Sequence, residues 1–134
     1  MRLRTPAAAA TIALVAGLVA ASPATAAVPP SIYKGSSMKL LNLGTSNIQV
    51  RLRLNVCAAP GRLVANLREQ QIQGGRVTAT QFRRYTGTHR QGCAFQSITY
   101  KLARTFYGGT YKVRVKLTDS TGLSDTRTFT YVGE

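Results

Sequence analysis

Few side chains in this sequence could do chemistry, and their spacing argues against catalysis. His89 is the only histidine, and the acids are Glu69, Asp119, Asp125 and Glu134. Asp119 and Asp125 flank residues typical of a turn, where Asp commonly accepts local hydrogen bonds. Calcium is the alternative for this pair, but calcium takes roughly six to eight oxygen ligands. We therefore predict a non-enzymatic protein with no catalytic residue, no metal site and no cofactor, and we expect His89 to be an exposed loop residue.

The segment Arg83–Gly92 is the most distinctive candidate contact surface. It contains three Arg, one Tyr and the only His of the chain, and it ends immediately before Cys93. Arg and Tyr are favoured interface anchors, and loops on rigid scaffolds often carry function. We predict a loop here, with contact residues Arg83, Arg84, Tyr85, His89 and Arg90. Three interpretations stay open: the loop binds an anionic polymer, presents Arg90 to a trypsin-like protease as an inhibitor, or is a solvated connection.

Basic residues recur outside this segment and set the charge of the whole chain. Arg51 and Arg53 alternate with apolar residues in one stretch, and Lys112, Arg114 and Lys116 do so in another. Lys plus Arg number 18 against four acids, a formal net charge of +14. Such a balance favours anionic partners, and solubility without a dedicated partner is the alternative.

Residues 1–26 have the features of a cleavable secretory signal peptide. Arg2 and Arg4 give a positive start, Ala7–Ala21 is an unbroken apolar or small-residue run, and Ala24-Thr25-Ala26 fits a cleavage site. The run is too short for a membrane-spanning helix, so we expect no transmembrane segment after cleavage. The mature chain of 108 residues keeps a net charge of +12, because the leader removes two Arg. The Ala-rich leader is typical of a GC-rich bacterium.

Cys57 and Cys93 are the only cysteines, and we predict that they form a disulfide. An even number of cysteines in an exported chain pairs in an oxidising compartment. A redox or metal pair is the alternative, but there is no Cys-x-x-Cys motif and only one His. Closing this loop should stabilise the fold by about 3.5–4 kcal/mol.

The hydrophobic pattern has a period of two and predicts an all-β domain. Apolar and polar residues alternate most clearly in Asn47–Cys57 and Thr110–Thr118, and Asp125–Val132 follows as a hairpin partner. Gly74-Gly75 suits a tight turn between two further strands. The other predicted strands are Ser37–Leu43, Arg62–Ile72, Arg76–Tyr85 and Gln96–Leu102. About seven strands indicate an antiparallel β-sandwich over residues 37–134, preceded by a flexible lead-in at 27–36.

The end of the chain resembles the last two strands of bacterial immunoglobulin-like domains. Gly109-Thr110-Tyr111-Lys112-Val113, then Thr118-Asp119 and a turn at Gly122, carry the resemblance over about 25 residues. It implies an immunoglobulin-like β-sandwich in which Tyr111, at the start of strand F, is the corner tyrosine. It also implies that the two basic stretches are strands B and F, which lie on opposite sheets. The chain has no Trp, and Cys93 precedes this strand, so the usual core Trp and inter-sheet bridge are not implied. Such sandwiches have many functions, so the resemblance implies none.

These observations together predict a small, secreted, basic binding protein. We expect it to be extracellular, either free or associated with the cell wall. We expect it to contact an anionic cell-envelope or extracellular polymer through outward Arg and Lys. A protein partner is the alternative, with the chain acting as a protease or enzyme inhibitor. A small cationic antimicrobial or structural protein is the third hypothesis.

Overall fold

The computed structural model describes residues 28–102 and 108–133, which form seven antiparallel strands in two sheets. The predicted signal peptide, residues 1–26, lies outside these ranges. The all-β prediction is confirmed for the described residues, which contain no helix. None of them, accordingly, forms a helix that could cross a membrane. The strands are β1 (Ser31–Leu41), β2 (Gln49–Ala58), β3 (Gly61–Gln73), β4 (Arg76–His89), β5 (Gly92–Lys101), β6 (Thr110–Asp119) and β7 (Ser124–Val132).

The two sheets have three and four strands and pack face to face. One sheet has the order β1-β2-β5 and the other the order β4-β3-β6-β7. The chain forms a hairpin within a sheet between β1 and β2, between β3 and β4, and between β6 and β7. It changes sheet after β2, β4 and β5. The strands β2, β3 and β6 each have a neighbouring strand on both sides, so they form the centres of the two sheets.

The core follows from the period-two pattern of these central strands. On β2, alternate residues from Val50 to Val56 are almost fully buried, and their polar neighbours face solvent. On β6, Tyr111, Val113, Val115 and Leu117 point inward in the same way. Burying a Val or Leu side chain contributes about 1.5–3 kcal/mol. The alternation in the sequence thus determines which face of each strand meets the other sheet.

Three strands extend beyond the sequence-based prediction: β1 begins earlier, β4 ends later, and β5 begins at Gly92 instead of Gln96. β1 begins at Ser31, so residues 31–36 of the expected lead-in belong to a strand. The pairing register shifts between Tyr33 and Ser37, and Gly35 in between has a φ of 90°, a conformation that favours glycine. This irregularity interrupts the alternation of apolar and polar residues, so the sequence pattern does not predict the first half of β1 as a strand. β4 continues to His89, and its consequence for the predicted loop is described below.

The predicted disulfide between Cys57 and Cys93 is present. The two residues lie directly opposite each other in the β2–β5 register, with an S–S distance of 2.07 Å. The bridge therefore links neighbouring strands within the three-stranded sheet.

Charged side chains connect the two sheets along the β1–β7 side of the sandwich. Asp125 Oδ2 accepts a hydrogen bond from the Ile32 backbone N–H at 2.8 Å. Arg127 Nη1 donates to the Tyr33 carbonyl at 3.0 Å. Charged residues on an edge strand that reach across to the facing sheet also discourage the pairing of that edge with another chain.

Candidate functional site

The outer surface of the four-stranded sheet collects basic side chains from three adjacent strands. In the register, Arg68 of β3 lies between Phe82 of β4 and Arg114 of β6. Side chains two residues apart on a strand share a face, so the neighbouring outward positions belong to the same surface. We call this surface the basic face and define it by five cations, Arg68, Arg84, Lys112, Arg114 and Lys116; Arg62 also points outward, at the start of β3.

Arg68 and Arg114 form the centre of the basic face. They are directly opposite each other on paired strands, an arrangement in which like charges destabilise a sheet. Arg68 Nε is buried and has no hydrogen-bond partner. Buried polar atoms in folded proteins nearly always have such a partner.

No described carboxylate neutralises the basic face, because each of the three has a structural role elsewhere. Glu69 is buried between the sheets. Asp119 Oδ1 accepts hydrogen bonds from the Thr121 and Leu123 backbone N–H groups, which fixes the β6–β7 turn. The Thr121 hydroxyl also donates to it, and these bonds hold the pKa of Asp119 below its ordinary value. Asp125 binds β1 as described above.

Polar and aromatic groups surround the cations. On β7, Thr126, Thr128 and Thr130 lie opposite Lys116, Arg114 and Lys112 respectively. The Phe82 side chain on the other side of Arg68 is 74% exposed. The basic face thus combines positive charge with hydroxyl groups and one exposed ring, a composition suited to a polyanion with polar repeating units.

Arg51 and Arg53 lie on the other sheet, as the sequence predicts. They point outward from β2, with Lys39 of β1 opposite Arg51. The Arg53 guanidinium lies 3.7 Å from the centre of the Phe95 ring, a cation–π contact. Both outer surfaces of the sandwich are therefore basic, but the four-stranded one has the larger array.

The predicted loop Arg83–Gly92 is wrong, because β4 extends to His89 and pairs with β3 throughout. Only Arg90 and Gln91 lie between β4 and β5. Arg84 is on the basic face, whereas Arg83 and Tyr85 lie on the inner side of β4. The five residues expected to act together are thus divided among three environments.

His89 is also not the exposed loop residue that the sequence suggests. It is 1% exposed, and its Nε2 lies 2.8 Å from the Gly92 carbonyl. Since a carbonyl only accepts, Nε2 is the donor, and Nδ1 accepts from the Gln96 side-chain amide at 3.4 Å. These bonds give His89 the role of fixing the short crossing between the sheets.

A buried polar network lies beneath the β4 side of the sandwich. Glu69, 4% exposed, accepts through Oε1 from the Tyr111 hydroxyl at 2.8 Å and through Oε2 from Arg83 Nε. The Tyr111 hydroxyl lies 2.7 Å from that of Tyr100 on the facing sheet. Arg83 Nη2 donates to the Lys101 carbonyl at 2.7 Å, also across the sheets. The network therefore joins four strands from both layers.

Tyr100, Tyr111 and Arg83 of this network keep their protons at neutral pH. Burial raises the pKa of both Tyr100 and Tyr111 well above the ordinary value, so both hydroxyls keep their protons. Burial also opposes the charge on Arg83, but the hydrogen bond and the charge of Glu69 outweigh it and raise the pKa of Arg83. All the acidic and basic groups are satisfied by one another, which is the pattern of a structural network.

Sequence reasoning identified Arg84, Lys112, Arg114 and Lys116 but missed Arg68 and Phe82. The alternation of Arg62–Ile72 contains the signal for Arg68, since it shares a face with Asn66 and Gln70. Its position between β4 and β6 depends on strand pairing, which the alternation does not give.

Within residues 28–102 and 108–133, no three His, Cys, Asp or Glu side chains come together to hold a metal ion. Comparison of the sequence with models of known protein families finds no match. Comparison with curated proteins finds no match either.

Proposed function

We propose that the protein is exported and acts as a non-enzymatic binder of an anionic cell-envelope polymer, which it contacts through the basic face. The observation that carries this proposal is the array of five cations on one surface, with Arg68 directly opposite Arg114 and no described carboxylate among them. Electrostatic repulsion within the array is a cost to the free protein. A bound polyanion would neutralise these charges, so the repulsion would be relieved and each cation would gain a favourable contact.

Export to an oxidising compartment is supported by two independent features. Residues 1–26 have the charge, apolar run and cleavage pattern of a signal peptide. The Cys57–Cys93 bridge is of the kind that persists outside the cytosol. A protein released with a net charge of about +12 meets the anionic polymers of the envelope first.

We further propose that the sandwich is of the immunoglobulin-like kind. The facing sheets β1-β2-β5 and β4-β3-β6-β7 support this, as does Tyr111, which is buried at the start of the penultimate strand. The bridge within one sheet and the absence of Trp are departures from antibody domains. The fold supplies a rigid platform for the basic face and does not by itself indicate the ligand.

Charge reversal on each sheet tests whether the basic face is the site. We expect Arg114→Glu to weaken binding to inorganic polyphosphate at least about tenfold near 0.1 M salt and to reduce the salt dependence by roughly one released ion. Arg51→Glu makes the same change in net charge on the opposite sheet and should have a much smaller effect. Binding is measured by fluorescence anisotropy of labelled polyphosphate across a salt series.

The stability of the variants separates a binding effect from a folding effect. Arg114→Glu replaces a like-charge pair with an opposite-charge pair across from Arg68, so the variant should unfold at the same or a higher temperature. Equal losses of polyphosphate binding in Arg114→Glu and Arg51→Glu would mean that net charge alone binds the polymer, and the basic face would lose its special role.

A further inference from the structure

The sandwich opens into a groove on the side opposite β1 and β7. A cavity of about 300 Å³ lies between β4 and β5, the edge strands of the two sheets. Its lining includes Tyr85, whose ring lies 6.2 Å from that of Tyr100, and Gln96, whose amide is hydrogen-bonded to His89. We call this cavity the edge groove. Its apolar lining includes the core residues Leu54, Val56, Leu63, Ala65 and Leu117.

Gly87 keeps the edge groove open and has no other evident reason to be glycine. It lies inside β4 and pairs with the inward-pointing Leu63. Among the glycines inside the seven described strands, it is the one without a positive φ. A Cβ placed on it would have no heavy atom within 4 Å, so neither conformation nor packing requires glycine. A glycine within a strand weakens it and often marks a close approach by a ligand or another backbone.

The backbone of β4 beside the edge groove is unpaired on its outer edge. Within the described residues, Arg84–Thr88 makes backbone hydrogen bonds only as part of its pairing with β3. The β5 edge is different, because Arg83 binds the Lys101 carbonyl and His89 binds the Gly92 carbonyl at its two ends. The β4 edge is therefore available for pairing with a further strand along its whole length beside the groove.

We propose that a partner protein adds an extended segment to the β4 edge at Arg84–Thr88 and inserts its alternate, apolar side chains into the edge groove. In this mode of recognition, main-chain hydrogen bonds give affinity and side-chain pockets give specificity. Exposed Arg84 and Arg90 flank the paired stretch, so the segment has acidic residues at its ends. A second copy of the chain is disfavoured as the occupant, because it would bring the same positive charges together.

The test uses a fluorescein-labelled peptide roughly ten residues long, a length suited to one strand. The peptide has two glutamates at each end, and in its central part leucine or valine alternates with threonine. We expect the purified protein to bind it, and N-methylation of the amides along one edge of the peptide to abolish binding. Gly87→Ile fills the edge groove and should weaken binding at least about tenfold, measured by anisotropy. Thr80→Ile, on the outer face of β4 and outside the Arg84–Thr88 stretch, is the matched control and should bind as the wild type does.

Stability and polyphosphate binding make the outcomes distinct. Gly87→Ile should raise Tm by roughly 3–8 °C, because it removes a strand glycine and fills open space. Its polyphosphate binding should be unchanged. Peptide binding therefore tests the edge groove, and polyphosphate binding tests the basic face independently. No binding of the unmethylated peptide, equal binding after methylation, or unchanged binding by Gly87→Ile would overturn strand addition. Displacement of the peptide by dodecanoate with full binding after methylation would indicate an alkyl-chain site instead.

Discussion

Replacing Glu69 with alanine should lower the free energy of unfolding by about 2–4 kcal/mol, because it leaves the partly buried Arg83 guanidinium and the buried Tyr111 hydroxyl without their acceptor. Arg83 Nε donates to Glu69, and the Tyr111 hydroxyl donates to the other carboxylate oxygen. Both donors lose their acceptor in Glu69→Ala, in a part of the sandwich that water does not reach freely. The measurement is urea unfolding at neutral pH, with the m value checked against the wild type.

A double-mutant cycle with Arg83 separates the pair from its surroundings. Glu69→Leu alone leaves the guanidinium unpaired, whereas Glu69→Leu with Arg83→Leu removes both charges and replaces them with apolar volume. Replacing both partners of a buried ion pair is often close to neutral, so the double variant should recover most of the loss. A loss below about 1 kcal/mol in Glu69→Ala would contradict the assigned network.

Removing the disulfide should have the second large effect, about 3.5–4 kcal/mol for Cys57→Ala with Cys93→Ala. The bridge closes a loop with a sequence separation of 36 residues, and its loss increases the conformational freedom of the unfolded chain. It also frees the end of β5, which is bonded to the sheet on one side only. Thermal unfolding of the double variant measures the change.

Reductant gives the matched control for the disulfide prediction. Dithiothreitol should destabilise the wild type by nearly the amount measured for the double variant, and it should leave the double variant unaffected. If the double variant unfolds within about 1 kcal/mol of the wild type, the bridge contributes far less than loop closure implies.

The strands with regular alternation could be predicted from sequence, and the reason is local. In β2 and β6 every second side chain is apolar and buried, so the pattern alone gives the strand and its inner face. The end of β4 lacks that pattern because its inward positions hold Gly87 and His89 instead of aliphatic residues. The same two residues that maintain the groove and the crossing made this segment look like a loop.

The basic face could be predicted only in part, because it is assembled by pairing between distant strands. Alternation places Lys112, Arg114 and Lys116 on one face of β6. Whether Arg68 and Arg84 join them depends on the β4-β3-β6 order and on the register of both pairs. A shift of two residues would keep Arg68 on the outer face but move it away from Arg114, and the alternation of apolar residues does not distinguish these registers.

The central claim is that the protein binds an anionic polymer of the cell envelope, and retention on purified bacterial cell wall tests it most directly. Residues 27–134 are applied to wall with its anionic polymers intact and to wall stripped of them, across a salt series. The account predicts retention on intact wall at low salt, a steep loss as salt rises, and little retention on stripped wall. Failure to bind intact wall at low salt, or equal retention on stripped wall, would contradict it.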